Sequence, residues 1–188
     1  MEETPLSILQ LLTHSKINAG GAVQAFLLSR ELARLGHRVT MAFSEREGGA
    51  HDETRTRVEE AGCRYVGLRL RRLASIKALR DLLVEGRYDV VHLHREQAVQ
   101  RFLQAAPLAP DVGSVANVGT SKIPSKARAR RLRSPRIDRV VVVAEALKRL
   151  LVRTAGVDPA RVEVVYGAYD EERFRPDAAP YDRAADLG

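Results

Sequence analysis

Short apolar runs alternate with helix-length amphipathic stretches along nearly the whole chain, and no other feature limits its folds as tightly. Residues 7–13 (Ser-Ile-Leu-Gln-Leu-Leu-Thr) have the length of a strand. After a loop ending in Gly20-Gly21, the positions Ala25, Leu28, Leu32 and Leu35 fall on one helical face. The order then recurs. Gly36 closes the helix ahead of a strand over 38–43, and a loop with Gly48-Gly49 leads to a modest helix over 52–61, ending at Gly62, and a weak strand over 63–70. A helix over 73–85 carries Ile76, Leu79 and Leu83 opposite Lys77, Arg80 and Asp81, and Gly86 stops it. Residues 89–94 form a fourth strand, 95–105 a helix ended by Pro107 and Pro110, and 112–118 a fifth strand. The unbroken β-branched run in 138–144 predicts a strand buried on both faces. Helix 145–155 capped by Gly156, strand 161–166 and a helical turn over 170–174 complete the pattern. Strands separated by helices of about 10 to 14 residues predict right-handed βαβ units, hence an α/β fold with one doubly wound, mostly parallel sheet of about seven strands.

With 188 residues, 45% hydrophobic and 29% charged, the chain is sized for one domain with its own core, and disorder or a fibre is excluded. Cys63 is the only cysteine, so neither an intramolecular disulfide nor a Cys-based zinc site is expected. Glu2 and Glu3 oppose a cationic signal peptide, and no apolar run approaches the ~20 residues a bilayer span needs. The expected location is cytoplasmic, with at most peripheral contact at the inner face of the membrane. The net charge of +7 is local: residues 122–136 hold seven Lys and Arg and no carboxylate, and the remaining 24 basic residues balance the 24 Asp and Glu.

In a doubly wound sheet ligands bind beyond the carboxyl ends of the strands, which directs attention to four loops. The first holds His14, Lys16, Asn18, Gly20 and Gly21; paired glycines either turn the chain or let backbone amides at a helix start come close to an anion such as a phosphate. The second holds His94, Arg95 and Glu96, which either bind acceptor hydroxyls and charges or form a solvated helix start. His92, inside the strand, is expected to be a packed core histidine. Gly119, Thr120 and Lys122 follow the fifth strand, and residues 166–170 the last. For the basic segment, with Lys126, Arg128, Arg130, Arg131 and Arg133, the readings are an anionic acceptor or membrane surface, or an exposed loop whose charge is only solvated. Nucleic acid is disfavoured, since no Phe, Tyr or Trp lies between Leu103 and Val165 to stack on a base. Acidic pairs for a hydrolase, a metal cluster, a Ser-His-Asp order, the dinucleotide fingerprint and the P-loop pattern are not found.

Six motifs in register carry a resemblance. Gly20-Gly21 before a helix, Leu32-Ala-Arg-Leu-Gly-His37-Arg-Val39, Asp89-Val-Val-His-Leu-His94, Val140-Val-Val-Val-Ala144, Gly156-Val157 with Arg161-Val-Glu-Val-Val165, and Asp170-Glu-Glu-Arg-Phe174-Arg-Pro176 together resemble the N-terminal domain of glycosyltransferase family 4. The resemblance implies a GT-B fold of two Rossmann-like domains facing a cleft. It also implies transfer of a sugar from a nucleotide sugar to a saccharide or lipid-linked acceptor with retention, in work such as cell-envelope polysaccharide or lipopolysaccharide synthesis. Residues 1–176 correspond to the acceptor-side domain and 177–188 to a linker toward a C-terminal nucleotide-sugar-binding domain, without which this half is expected to be inert. No metal and no cofactor of its own are expected, the nucleotide sugar being a substrate.

The chain departs from the family pattern at three places. Gly119 stands where a histidine near the donor sugar is frequent, Ala144 where a serine is, and Gly167-Ala-Tyr-Asp170 where the last strand commonly ends Asn-Gly-Val-Asp. Sugar transfer needs the leaving diphosphate stabilised, and the amides of Gly20 and Gly21 suit that task. The competing reading is a non-catalytic phosphate-binding or membrane-surface module with the same fold.

Overall fold

The computed structural model describes residues 4–18, 20–45, 52–70, 74–120 and 122–169. Its strands are β1 (Ser7–Leu12), β2 (Arg38–Ser44), β3 (Arg64–Leu68), β4 (Val90–His94), β5 (Gly113–Val118), β6 (Arg139–Val142) and β7 (Val162–Val164). Between them lie α1 (Gly20–Arg34), α2 (Asp52–Glu60), α3 (Ala74–Gly86), α4 (Glu96–Ala105), α5 (Lys126–Leu132) and α6 (Glu145–Ala155). Every strand pair is parallel, in the order β3-β2-β1-β4-β5-β6-β7. The expected α/β, doubly wound architecture is therefore present, and the sheet is wholly rather than mostly parallel.

The order of the strands decides which helices cover which face. Right-handed crossovers from β1 to β2 to β3 put α1 and α2 on one side, and the return through β4 to β7 puts α3 to α6 on the other. Alternation along each strand then divides the core. Leu9, Leu11, Val91, Leu93 and Ala116 pack beneath Leu79, Phe102, Leu132 and Leu151, while Leu12, Met41 and Phe43 pack beneath Ala25, Phe26 and Val58. Two aspartates staple the amino edge. Asp89 accepts the Ser7 N–H at 2.7 Å, tying β4 to β1, and Asp138 accepts the Ser114 N–H at 2.7 Å, tying β6 to β5.

Several local expectations are corrected. The helix after β1 begins at Gly20, so the paired glycines form its first residues and not the end of a loop. Residues 122–136 are not one loop, because α5 occupies their centre; Ala129 and Leu132 turn inward against the core, and Ser125 accepts the Arg128 N–H as N-cap. Strand β6 is shorter than expected, and its Val141 is only half-buried. That residue points to the face opposite Val140 and Val142, which join the core with Leu147 and Leu151. Gly48-Gly49 and residues 170–188 lie outside the described residues.

The helix does end at Gly86, but not through a left-handed conformation of that residue; the left-handed turn falls on Arg87, with φ +43°. Glycine is required at 86 for a different reason: a Cβ there would collide with the buried Tyr88 ring. Gly86→Ala is therefore expected to lower stability by ~2 kcal/mol through overpacking. Arg87→Gly should raise it by ~0.5–1 kcal/mol by removing the left-handed penalty. Urea unfolding of the two variants measures both, and a neutral Gly86→Ala would show that Tyr88 does not hold that glycine in place.

Candidate functional site

The direction of winding reverses between β1 and β4, which leaves a crevice at their carboxyl ends. Polar residues lead up to it along the β1–β4 seam, joined by two hydrogen bonds. Asp89 and Ser7 close the bottom; Gln10 and His92 sit side by side in register; His94 donates from Nε2 to the Gln10 side-chain carbonyl at 2.7 Å. The His92 and His94 rings are 4.2 Å apart. His14, from the loop after β1, faces them, and its ring would be 3.5 Å from a Cβ placed on Gly21.

This seam is polar yet closed. Gln10 is fully buried and His94 is 5% exposed, and buried nitrogens of Gln10 (Nε2), His14 (Nδ1) and His92 (Nε2) have no protein partner. Burial pushes all three imidazoles toward the neutral form: His92 falls to about 4, His94 well below its ordinary value, and His14 downward, helped by the Arg95 charge. His94 is thus not an open contact at the strand end. It lies below the crevice, where the sequence pattern had placed it at the mouth.

Arg95, the next residue, has φ 76° and ψ 163°, a region that glycine alone occupies freely. Among the described residues only Arg87 and Arg95 are non-glycine residues with positive φ. A backbone held there stores ~1–3 kcal/mol, and the Arg95 side chain makes no capping bond to α4 in return. Arg95 lines a narrow cleft of only about 10 Å³ with Glu96, Val99, Asn117, Arg128 and Arg131. Arg131 and Glu96 are paired across it at 2.6 Å.

Gly20 and Gly21 are exposed, and neither has a positive φ. A Cβ on Gly20 would meet nothing within 4 Å. Neither backbone conformation nor internal packing therefore accounts for the glycines, which weaken a helix by ~1 kcal/mol each relative to alanine in its interior. The remaining sequence candidates scatter. Lys16 and Asn18 border a separate hollow of about 140 Å³ with Asp52, Glu53 and Arg57. Gly119 and Thr120 stand at the end of β5, where Thr120 Oγ1 accepts the Lys122 N–H at 3.4 Å. Lys122, Lys126, Arg130 and Arg133 face solvent. A larger hollow, near Asp89, Asp111 and Asp138, opens at the amino ends, away from the crevice, and its carboxylates Asp89 and Asp138 are occupied by Ser7 and Ser114. Among the described residues no group of His, Cys, Asp and Glu is arranged to hold a metal ion, and no helix is long and apolar enough to cross a membrane.

Three supporting residues carry no motif signal. Gln10 is a polar residue flanked by apolar ones within β1, a pattern that marks a buried partner without naming it. Arg161 donates to the carbonyls of Leu132, Ser134 and Ile137 and so clamps the C-terminal end of α5, where a cation also complements the helix dipole. Gln24 on α1 donates to the Ala168 carbonyl at 2.7 Å, drawing the segment after β7 back across the carboxyl edge.

Residues 19–173 match the model of the family described as Glycosyltransferase Family 4. A comparison with curated proteins gives no match. Among solved structures, the chain is similar to a glycosyltransferase from Rickettsia africae ESF-5 (14% identity, TM-score 0.71, covering 98% of this chain and 49% of that one). It is also similar to the glycotransferase of kitacinnamycin (17%, 0.58, 96% and 55%). A third is Arabidopsis thaliana UGT89C1, solved with UDP-L-rhamnose (12%, 0.58, 87% and 49%). At these identities the likeness is one of fold, that of a GT-B Rossmann-like domain, and the chain spans about half the length of each structure.

The buried imidazoles make stability depend on pH. The fold accepts only their neutral forms, so the stability they contribute is complete above pH 6.5 and drains as pH falls from 6.5 toward 4, by at most about 3 kcal/mol for His92. The melting temperature is expected to fall over that interval, and His92→Gln to flatten the fall. Thermal scans of both proteins between pH 4 and 8 check this; identical slopes would remove His92 from the account.

Proposed function

The chain belongs to glycosyltransferase family 4, and on that premise we propose that it is the acceptor-side domain of an enzyme that transfers a sugar, with retention, from a nucleotide sugar to a saccharide or lipid-linked acceptor. Residues 1–176 form this domain and 177–188 lead toward a nucleotide-sugar-binding domain, on which turnover depends. The observation that carries the proposal is the pair of exposed glycines in the first turn of α1, at the switch point of the sheet, for which the chain itself supplies no need. Bare amides there can approach a diphosphate more closely than any side chain allows, and they are fixed before the reaction begins.

The roles follow from placement. Gly20 and Gly21 hold the donor diphosphate, and His14, whose ring lies beside Gly21, borders it with its imidazole pushed toward the neutral form. Arg95, Glu96, Thr120 and Lys122 lie on the acceptor side. No side chain of this domain is assigned the chemical step. The exposed cations Lys126, Arg130 and Arg133 give α5 an outward charge suited to the anionic inner surface of a membrane, at roughly 1 kcal/mol for each residue near it. Gly119 favours one competing reading: with no side chain at the end of β5, the domain would bind phosphate without catalysing transfer.

Inorganic pyrophosphate tests the carrying observation. In amide NMR spectra of the chain its addition is expected to shift the signals of residues 20–22 first. Gly20→Ala/Gly21→Ala should bind it at least tenfold more weakly while melting higher, because alanine favours the helix by up to ~1 kcal/mol per site. Pyrophosphate shifts that survive the double substitution would refute the assignment. Anomeric analysis of the product made by a chain containing both domains decides retention, and a two-domain chain without turnover would leave the phosphate-binding module as the function.

A further inference from the structure

We propose that His14 is a ligand of the donor diphosphate, and that its imidazole takes a proton from solvent as the diphosphate binds. The word donor rests on the glycosyltransferase reading and on the glycine pair of α1; the proton uptake follows from what surrounds the ring. His14 is tethered, since its carbonyl accepts the Ser44 N–H at 2.9 Å from the end of β2. Its ring lies against the first turn of α1, with Cε1 at 3.5 Å and Nε2 at 3.7 Å from where a Cβ on Gly21 would stand. With no Cβ there, the imidazole edge and the amides of the glycine pair border one space.

The two ring nitrogens differ. Nδ1 is buried without a partner, whereas Nε2, on the Gly21 side, has no protein partner and is not sealed in. The seam underneath is equally short of partners: Gln10 is fully buried with Nε2 unpaired, and its side-chain carbonyl is taken by His94. A protonated ring would bury a second N–H donor at Nδ1, where no partner stands. The fold by itself therefore disfavours the imidazolium.

The charges facing His14 act in the same direction. The Arg95 cation reaches it from the start of α4, the His94 ring with His92 beside it from β4, and Lys16 follows in its own loop. Helix α1 has no acidic residue in its first turn, and Glu45, just past β2, is engaged by Tyr65. Among the described residues no carboxylate pairs with His14, and burial, then Arg95, push its titration below the ordinary 6.5. Negative charge is what these surroundings lack, and a diphosphate supplies it. Its charge beside Nε2 favours the proton, and the imidazolium returns a charge-assisted N–H···O bond. Binding and proton uptake then strengthen each other by the same factor. The gain is absent well above the titration midpoint of the liganded ring, grows as pH falls through it, and is complete below the midpoint of the chain alone.

Imidazole and amide NMR of the chain with inorganic pyrophosphate, between about pH 5.5 and 8, tests this. The His14 ring signal, assigned by its loss in His14→Gln, is expected to titrate below 6.5 without pyrophosphate and above 6.5 with the ligand at saturation. Pyrophosphate itself titrates in this range, so affinity is read at each pH as the ratio of the unaltered chain to His14→Gln. That ratio should grow at least threefold from pH 8 to pH 6. His14→Lys, charged throughout the range, should bind more tightly than the unaltered chain at pH 8 and show no such growth. A merely structural His14 would lower the melting temperature of both variants and leave the ring midpoint where it was. A midpoint unmoved by pyrophosphate, or a ratio independent of pH, overturns the proposal; if the amides of residues 20–22 still shift, the glycine assignment survives it. Pyrophosphate that shifts neither those amides nor the ring overturns both.

Discussion

The parallel pairing of β1 with β4 is the contact from which the rest of the molecule is built. It joins two segments more than eighty residues apart in sequence, and it is where the winding of the sheet changes direction. Helices leaving β1 and β4 therefore pack on opposite faces. The loops above the two strands consequently diverge, and the place of a crevice is set by topology before any side chain is chosen. The Asp89–Ser7 bond at the amino edge and the Gln10–His94 bond midway along hold the two strands in one register. A slip of β4 by one residue would turn His92 and His94 into the apolar core on the other face.

That seam has consequences at the mouth. Neutral, buried imidazoles bring no charge of their own, so the field above them is set by Arg95 and the cations of α5. Gly20 and Gly21 add the positive end of a helix at the same edge. One part of that edge presents backbone donors and the other guanidinium groups.

The structural cost of that arrangement is visible in two places. Glycine opens a helix whose geometry and surroundings would accept alanine, and arginine occupies a backbone conformation that would accept glycine. Each substitution of one for the other would favour the fold. Departures of this kind, where local preference is overridden without a packing reason, are where function is to be sought.

Apart from α5, the order and type of the elements and the parallel sheet were legible in the sequence, because each depends on near-neighbour periodicity and glycine punctuation, and the family was legible in motifs standing in register. The span of α6 and the left-handed Gly156 after it follow from residues a few positions apart. What the sequence could not determine is everything that depends on distant segments meeting. His94 carries the same pattern whether it tops the strand or lies beneath the crevice, and only its pairing with Gln10, 84 positions away, decides the matter. The basic segment looked like a solvated loop because its charges hide the inward pair Ala129 and Leu132, and because the Arg161 clamp comes from the other end of the domain. Tyr88, not helix termination, explains Gly86. Periodicity is a local property and so survives in the sequence; burial and charge pairing are properties of the folded neighbourhood, and they exist only once the chain has closed on itself.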